Sequence, residues 1–371
     1  MSLQQGWIAR YQRRFGRVKV WLGRINNTYI TCYYKAPTRR TNQHVEILIP
    51  PPQPSMSNDL VLPRPGDAPT QPRPPIPAPS EKAFTDVFGA LLPPAQYLQT
   101  STGRAAYYTL APLSPSPHPP RILLLHGVQT PALGLLPLTL HLRSSRPHAH
   151  FLLLDLWGHG LSETPIAPHE PALFHSLIDA LLTHLAWPSA HLIGYSFGAN
   201  LVVGYAVSRP ERVQSFALVA PAGLIPMSMF DEEGMRYLVD RDVDEGAVRE
   251  WVVRFLEGGD MVVPGDWRER VSRGEVVAQA VKEWQMRNHA GHGASVVGIV
   301  RDGRVVGNEG EFGRAAGLGV QNVVVLGSED SLSGKEKFEE LGFGRVVVVE
   351  GAGHGVVRDR PVEVAAAIQL F

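Results

Sequence analysis

A serine set between two glycines, in Gly194-Tyr195-Ser196-Phe197-Gly198, is the place in this 371-residue chain where residue type and spacing first suggest covalent chemistry. His191 to Ile193 before it are an apolar run and Ala199 to Ser208 after it follow a helical pattern, so the serine falls on a turn from strand to helix. Glycines two positions to either side let the backbones at such a turn close on their neighbours. A serine hydroxyl is a poor nucleophile until a base takes its proton, and an imidazole base needs an acid to hold its tautomer. Two late loops offer these groups: Gly327-Ser328-Glu329-Asp330 carries two adjacent carboxylates, and Gly351-Ala352-Gly353-His354-Gly355 carries a histidine. The chemistry open to such a set is acyl transfer. Each residue also has a plainer reading, Ser196 as a helix N-cap, His354 as a turn residue and Asp330 as a solvated loop acid.

Groups so far apart in sequence meet only if strand ends carry them to one place. Six short apolar runs, Ile122 to Leu125, Phe151 to Leu154, His191 to Ile193, Phe216 to Val219, Val323 to Leu326 and Val346 to Val349, each end near Gly, Asp or another turn-forming residue. Strands apolar on both faces belong to a parallel sheet covered by helices, and ligands in such sheets bind beyond the carboxyl ends of the strands. Leu173, Phe174, Leu177, Ile178, Leu181, Leu182 and Leu185 recur at helical spacing between the second and third runs. The pattern predicts an α/β fold with a mostly parallel, doubly wound sheet of at least six strands. Residues from about 224 to 318 break the alternation and predict an insertion above the strand ends. Its Met227, Met229, Phe230, Trp251, Phe255, Trp267, Trp284 and Met286 would line an apolar pocket or form the insertion's own core.

Four features taken together resemble the α/β-hydrolase superfamily, in the branch with a helical cap between the sixth and seventh strands, over roughly residues 95 to 371. They are the Gly194 to Gly198 turn, the order serine, acid, histidine on successive strand exits, the His126-Gly127 dipeptide after the first run, and Asp155-Leu156-Trp157-Gly158-His159-Gly160-Leu161-Ser162 after the second. The resemblance implies Ser196 as nucleophile, His354 as general base and then acid, and Asp330 rather than Glu329 as the acid that orients it. It implies the backbone N–H groups of Val128 and Phe197 as oxyanion donors. A serine nucleophile is unlike the carboxylate of the family's epoxide hydrolases and haloalkane dehalogenases. The expected function is therefore a serine hydrolase, carboxylesterase-like or lipase-like, cleaving an ester or related acyl bond of a small, apolar substrate. The alternatives on the same residues are an acyltransferase or carbon–carbon bond hydrolase, or a catalytically silent binding protein. Asp155 and His159 read as structural turn residues.

Charge and composition narrow the rest. With 35 basic and 35 acidic residues the chain is formally neutral, which argues against a nucleic-acid partner. One cysteine, Cys32, excludes a disulfide framework and a cysteine-ligated zinc. His148-Ala149-His150 and His289 to His292 have metal-like spacings without carboxylate partners and read as solvated, so no metal and no cofactor is expected. No apolar run approaches the roughly 20 residues of a membrane span, and a soluble, cytoplasmic protein acting on a small molecule is expected, with no reading of its oligomeric state. Residues 1–45 hold nine Lys or Arg and no Asp or Glu, which leaves a mitochondrial location as the alternative. Residues 50–79 hold twelve prolines, which remove backbone donors. Residues 1–80 therefore read as a disordered, dispensable extension and 81–371 as the hydrolase-like domain, the basic start being a disordered tail or an upstream extension of a protein whose useful chain starts near Met56.

Overall fold

Residues apolar at every position must be covered on both faces, and the six runs lie together in one sheet. The structure, a computed structural model describing residues 21–25, 29–33, 60–67 and 73–368, gives that sheet eight strands: β1 Gln96–Gln99, β2 Arg104–Leu110, β3 Arg121–Leu125, β4 His150–Leu154, β5 Ala190–Tyr195, β6 Val213–Val219, β7 Gln321–Gly327 and β8 Val346–Val349. Their order is β8-β7-β6-β5-β3-β4-β2-β1. All neighbours from β8 to β4 run parallel, while β4 with β2 and β2 with β1 are antiparallel. The β1 strand has no apolar run because only Leu98 of its four residues is buried, as suits an edge.

Alternate residues of each strand serve opposite layers. Ile122, Leu124, Phe151, Leu153 and Ile193 pack against α2 (Leu136–Ser145) and the two C-terminal helices α11 (Val356–Asp359) and α12 (Pro361–Ala367). Leu123, Leu125, Leu152 and Leu154 pack against Phe174, Leu177 and Leu181 of α3 (Pro171–His184) and Leu201 and Val202 of α4 (Phe197–Ser208). Each such side chain, closed off from water, contributes roughly 1.5–3 kcal/mol. The sheet thus presents the exits of β3, β5, β7 and β8 at one edge, held rigidly from both sides.

Between β6 and β7 the chain forms helices Glu232–Val239, Glu245–Glu257, Trp267–Ser272, Ala278–Asn288, His292–Asp302 and Glu309–Ala316, here α5 to α10. Their aromatic residues pack mainly on one another: Trp251 stacks on Phe255 with centroids 5.4 Å apart, and Phe230 lies 4.9 Å from Phe255. Trp284 sits edge-on to Phe84, 5.1 Å away, in the helix Glu81–Phe88, termed α1, whose first turn is capped by Ser80. Met227 and Met229 stay exposed. The aromatic residues left open by sequence are thus largely engaged in packing within the helices.

The structure corrects the reading of residues 1–80 as a disordered extension at two places. Residues 60–67 lie on the helices between β6 and β7: Leu62 is buried, the Arg64 guanidinium pairs with Asp302 at 3.0 Å and bonds the carbonyls of Leu238 and Val239, and Asp67 pairs with Arg241. Ile76 exchanges backbone hydrogen bonds with Thr164. Proline removes donors but keeps an extended chain, and an extended chain can lie along a surface and bond through its carbonyls and side chains. In the separate unit Met1–Ser57, Trp21–Ile25 and Tyr29–Tyr33 pair as two antiparallel strands. The rest of the expectation about the N-terminal stretch lies outside the described residues.

Candidate active site

Ser196 stands between the last residue of β5 and the first of α4, with φ +54° and ψ −117°, a left-handed backbone uncommon for any residue with a Cβ. What holds it there is closeness on both sides. An added Cβ at Gly198 would lie 2.2 Å from the carbonyl oxygen of Leu125, so only glycine lets α4 start so near β3. The Ser196 amide donates to the Val219 carbonyl at 3.0 Å, and its own carbonyl accepts from Ala222 at 3.1 Å. The elbow is fixed by its neighbours, and the hydroxyl is left at the end of the strand.

The loops after β7 and β8 bring the other two groups. His354 Nε2 lies 2.9 Å from Ser196 Oγ, and His354 Nδ1 lies 2.9 Å from Asp330 Oδ2. Because a carboxylate only accepts, Nδ1–H donates to it, which leaves Nε2 bare to accept from the serine hydroxyl. The Asp330 carboxylate is 4% exposed and also accepts from the Leu332 amide, whereas Glu329 is exposed to solvent. Such a chain can draw the proton from Oγ as the oxygen attacks a carbonyl.

The loop after β3 lies against the nucleophile: a Cβ added at Gly127 would come 2.8 Å from the Cβ of Ser196. Neither the Val128 amide nor the Phe197 amide donates to an acceptor among the described residues, so both are open to a ligand oxygen. His126 Nδ1–H donates to the Gly127 carbonyl at 2.7 Å, and His126 Nε2 accepts from the Leu156 amide at 2.9 Å.

Beneath this loop the turn 155–162 is built on one acid. Asp155 accepts from the amides of Ala132 and Leu161 and from the Tyr108 hydroxyl, and burial pushes its carboxyl up to about 6. Its place agrees with a structural role. His289 and His292, expected to be solvated, are fully buried instead, which is a correction. They bond the carbonyls of Ser162 and Gly158, and with His126 and His159 they form a packed group whose successive ring centroids are 4.7 to 6.1 Å apart. Desolvation depresses all four, to about 4 for His126 and His289 and about 3 for His292, so the rings are neutral at pH 7. Among the described residues no group of three or more His, Cys, Asp or Glu could hold a metal ion.

Three residues near the site carried no signal in the sequence. Gln285 and Gln129 are far apart along the chain and joined only by the fold, and Arg358 reads as an ordinary surface cation until its position over Tyr195 is seen.

Comparison with known proteins agrees with this fold. A family model described as the alpha/beta hydrolase fold matches residues 120–246. The solved enol-lactonase from Burkholderia xenovorans LB400 superposes with a TM-score of 0.55, covering 74% of this chain and 98% of its own at 19% identity. The chain is an α/β-hydrolase-fold protein. E-2-(acetamidomethylene)succinate hydrolase shares the fold at a TM-score of 0.52 and 20% identity over 74% of this chain and 97% of its own. A Bacillus subtilis (strain 168) protein with the provisional name 2-succinyl-6-hydroxy-2,4-cyclohexadiene-1-carboxylate synthase is 22% identical over 58% of this chain and 78% of its own length. Proteins of this fold are typically hydrolases of small molecules. No helix among the described residues is long and apolar enough to cross a membrane.

Proposed function

We propose that this protein is a serine hydrolase that cleaves an ester or related acyl bond of a small molecule through an acyl-enzyme. The observation that carries the reading is the continuous chain from Ser196 Oγ through His354 to a shielded Asp330, each link 2.9 Å, beside two amides without acceptors. In this reading His354 takes the hydroxyl proton as Oγ bonds the acyl carbon, and the Val128 and Phe197 amides hold the negative oxygen. The leaving group departs with that proton. Water then attacks the ester on Ser196, gives its proton to His354, and the serine recovers a proton as the acid product leaves. The helices between β6 and β7 act as a cap over this centre. A fluorophosphonate probe with peptide mapping tests the reading: labelling at Ser196, abolished in Ser196→Ala, is expected, and an unlabelled Ser196 in the folded chain would remove it. Product analysis with an acceptor alcohol separates hydrolysis from acyl transfer.

One observation favours a finer reading, in which the substrate carries an anionic group. Arg358 lies one helical turn beyond His354, its guanidinium 5.4 Å from the Tyr195 ring centroid, and that ring is 5.5 Å from His354. Its Nη2 is 3.4 Å from the Tyr195 hydroxyl, while its Nη1 is buried and has no acceptor among the described residues. Lys282, held below its ordinary range chiefly by burial, is already paired with Glu257 at 2.6 Å and also feels the Arg358 charge. A cation left unpaired beside a catalytic centre suits a carboxylate, and two of the similar proteins bear the names of a carboxylate and a succinate. Arg358→Met should lower kcat/KM for a 4-nitrophenyl monoester of succinate by about 10- to 100-fold and leave 4-nitrophenyl butyrate within about threefold, the loss of one charge-assisted hydrogen bond. Equal effects on both esters would remove the anionic preference.

A further inference from the structure

The residue after Val128 is held in a backbone that it would not adopt unaided. Gln129 has φ +68°, in the left-handed region, and is almost fully buried. Both of its backbone polar groups are gripped. Its N–H donates to His159 Nε2 at 3.1 Å, and its carbonyl accepts from Gln285 Nε2 at 2.6 Å. The other end of the Gln285 amide is also used, since Oε1 accepts from the Gly160 amide at 2.6 Å. One fully buried side chain from α8, inside the insertion between β6 and β7, therefore joins the loop after β3 to the turn after β4.

The consequence follows from the planarity of the peptide unit. The Gly127 carbonyl and the Val128 N–H belong to one plane and point in opposite directions. The bond from His126 to that carbonyl sets the plane, and the grip on Gln129 sets the chain immediately beyond it. We propose that Gln285 is a positioning residue of the oxyanion hole, clamping Gln129 so that the Val128 amide stays aimed at the carbonyl oxygen attacked by Ser196. The proposal rests on the serine-hydrolase reading above. It makes the helical insertion part of the catalytic apparatus as well as a cover: without α8 the loop would lose the bond that opposes relaxation of the Gln129 backbone. Donors fixed in advance cost no reorganisation when charge develops, which is why such a clamp acts on the transition state rather than on the bound ester.

Two substitutions in the full chain test it. Gln285→Met keeps the volume and removes both bonds; kcat should fall by about 10- to 100-fold with KM within about threefold. The affinity for a boronic acid, which forms a tetrahedral adduct on serine, should fall by a similar factor, while inhibition by the carboxylate product stays nearly constant. Gln285→Glu has the same shape but places a carboxylate against the Gln129 carbonyl. Once protonated it again has one donor and one acceptor, and burial raises its pKa. The titratable groups on the elements it joins are the imidazoles of His126, His159, His289 and His292, neutral at pH 7, and the carboxyl of Asp155, with Lys282, paired to Glu257, on its own helix; all are shared with the parent chain. The ratio of its kcat/KM to that of the parent should therefore rise at least about threefold between about pH 8 and about pH 5.5.

A parent-like kcat in Gln285→Met, or equal weakening of boronic acid and product, overturns the clamp. Should that variant fail to fold, the Gln285→Glu ratio decides alone: a rise supports the clamp and a flat ratio overturns it. A parent chain in which the fluorophosphonate leaves Ser196 unlabelled sinks the hydrolase reading and the clamp together, whereas a labelled parent with a flat ratio sinks only the clamp.

Discussion

Asp330 and Glu329 are adjacent carboxylates with different surroundings, and the difference gives the sharpest expectation at the residue scale. Asp330 is closed off from water and bonded to His354 Nδ1, whereas Glu329 is exposed. Asp330→Asn would offer Nδ1 an amide that can donate as well as accept, so the imidazole could take the tautomer that no longer accepts from Ser196. A fall in turnover of about 10³ to 10⁴ is expected with the fold intact, against less than about tenfold for Glu329→Gln. Turnover on one accepted ester checks both; the reverse ranking would move the acid to Glu329. Ser196→Ala and His354→Ala should each cost about 10⁴ or more, and the double variant scarcely more, since nucleophile and base act as one unit. Additive losses would show that the two do not share a step. Local chemistry brought these residues into view because a nucleophile turn has a local signature. The acid was harder: two neighbouring carboxylates are separated only by which one the strand exit turns inward.

At the scale of elements, legibility follows periodicity. The runs Ile122 to Leu125 and Phe151 to Leu154 are central strands covered on both faces, so their burial is written continuously in their composition. The edge strand β1, with Gln96 and Gln99 exposed, has no such signal. Nor has the packing of Trp284 on α1, because aromatic content alone does not tell which surface a ring will cover. The stretch 60–67 was the most misleading, since its prolines exclude helix yet permit an extended strap. Its anchor is Arg64, whose partner Asp302 is nearly closed to solvent and would be left unpaired without it. Removing one partner of a shielded pair costs more than the pair is worth, here about 1–3 kcal/mol, or a fall in Tm of about 1 to 5 °C for a chain of this size. Arg64→Met should show that fall in calorimetry. A chain begun at Ser80 should show at least as much and one begun at Asn58 almost none. If the Ser80 chain melts with the parent, the strap contributes nothing to stability.

For the molecule as a whole, the buried imidazoles set its response to acid. His126, His159, His169, His175, His289 and His292 are all buried, and burial strips water from their charged forms. Their folded values are about 4 for His126, His169, His175 and His289 and about 3 for His292, against 6.5 for an ordinary imidazole. Unfolding therefore takes up protons below pH 6.5, so the stability these groups confer is complete above that value and is lost as the pH falls toward about 4. Asp155 runs the other way: raised by burial from 3.8 to about 6, it is protonated in the native state first and stabilises the fold as the pH drops through that interval. One carboxyl cannot offset six imidazoles. Each proton taken up is worth about 1.4 kcal/mol per pH unit, so near pH 5 the loss is several kcal/mol per unit, comparable with a whole domain's stability of roughly 5–15 kcal/mol. Calorimetry from about pH 7 to about pH 4.5 should show Tm falling steeply, with an uptake of several protons read from the buffer dependence of the unfolding heat. Turnover lost through this unfolding should return only slowly on going back to neutrality, because recovery requires the sheet to reassemble. A Tm that stays level down to about pH 4.5 would mean that the imidazoles gain solvent or partners as they charge, and that the group around His159 opens locally rather than with the fold.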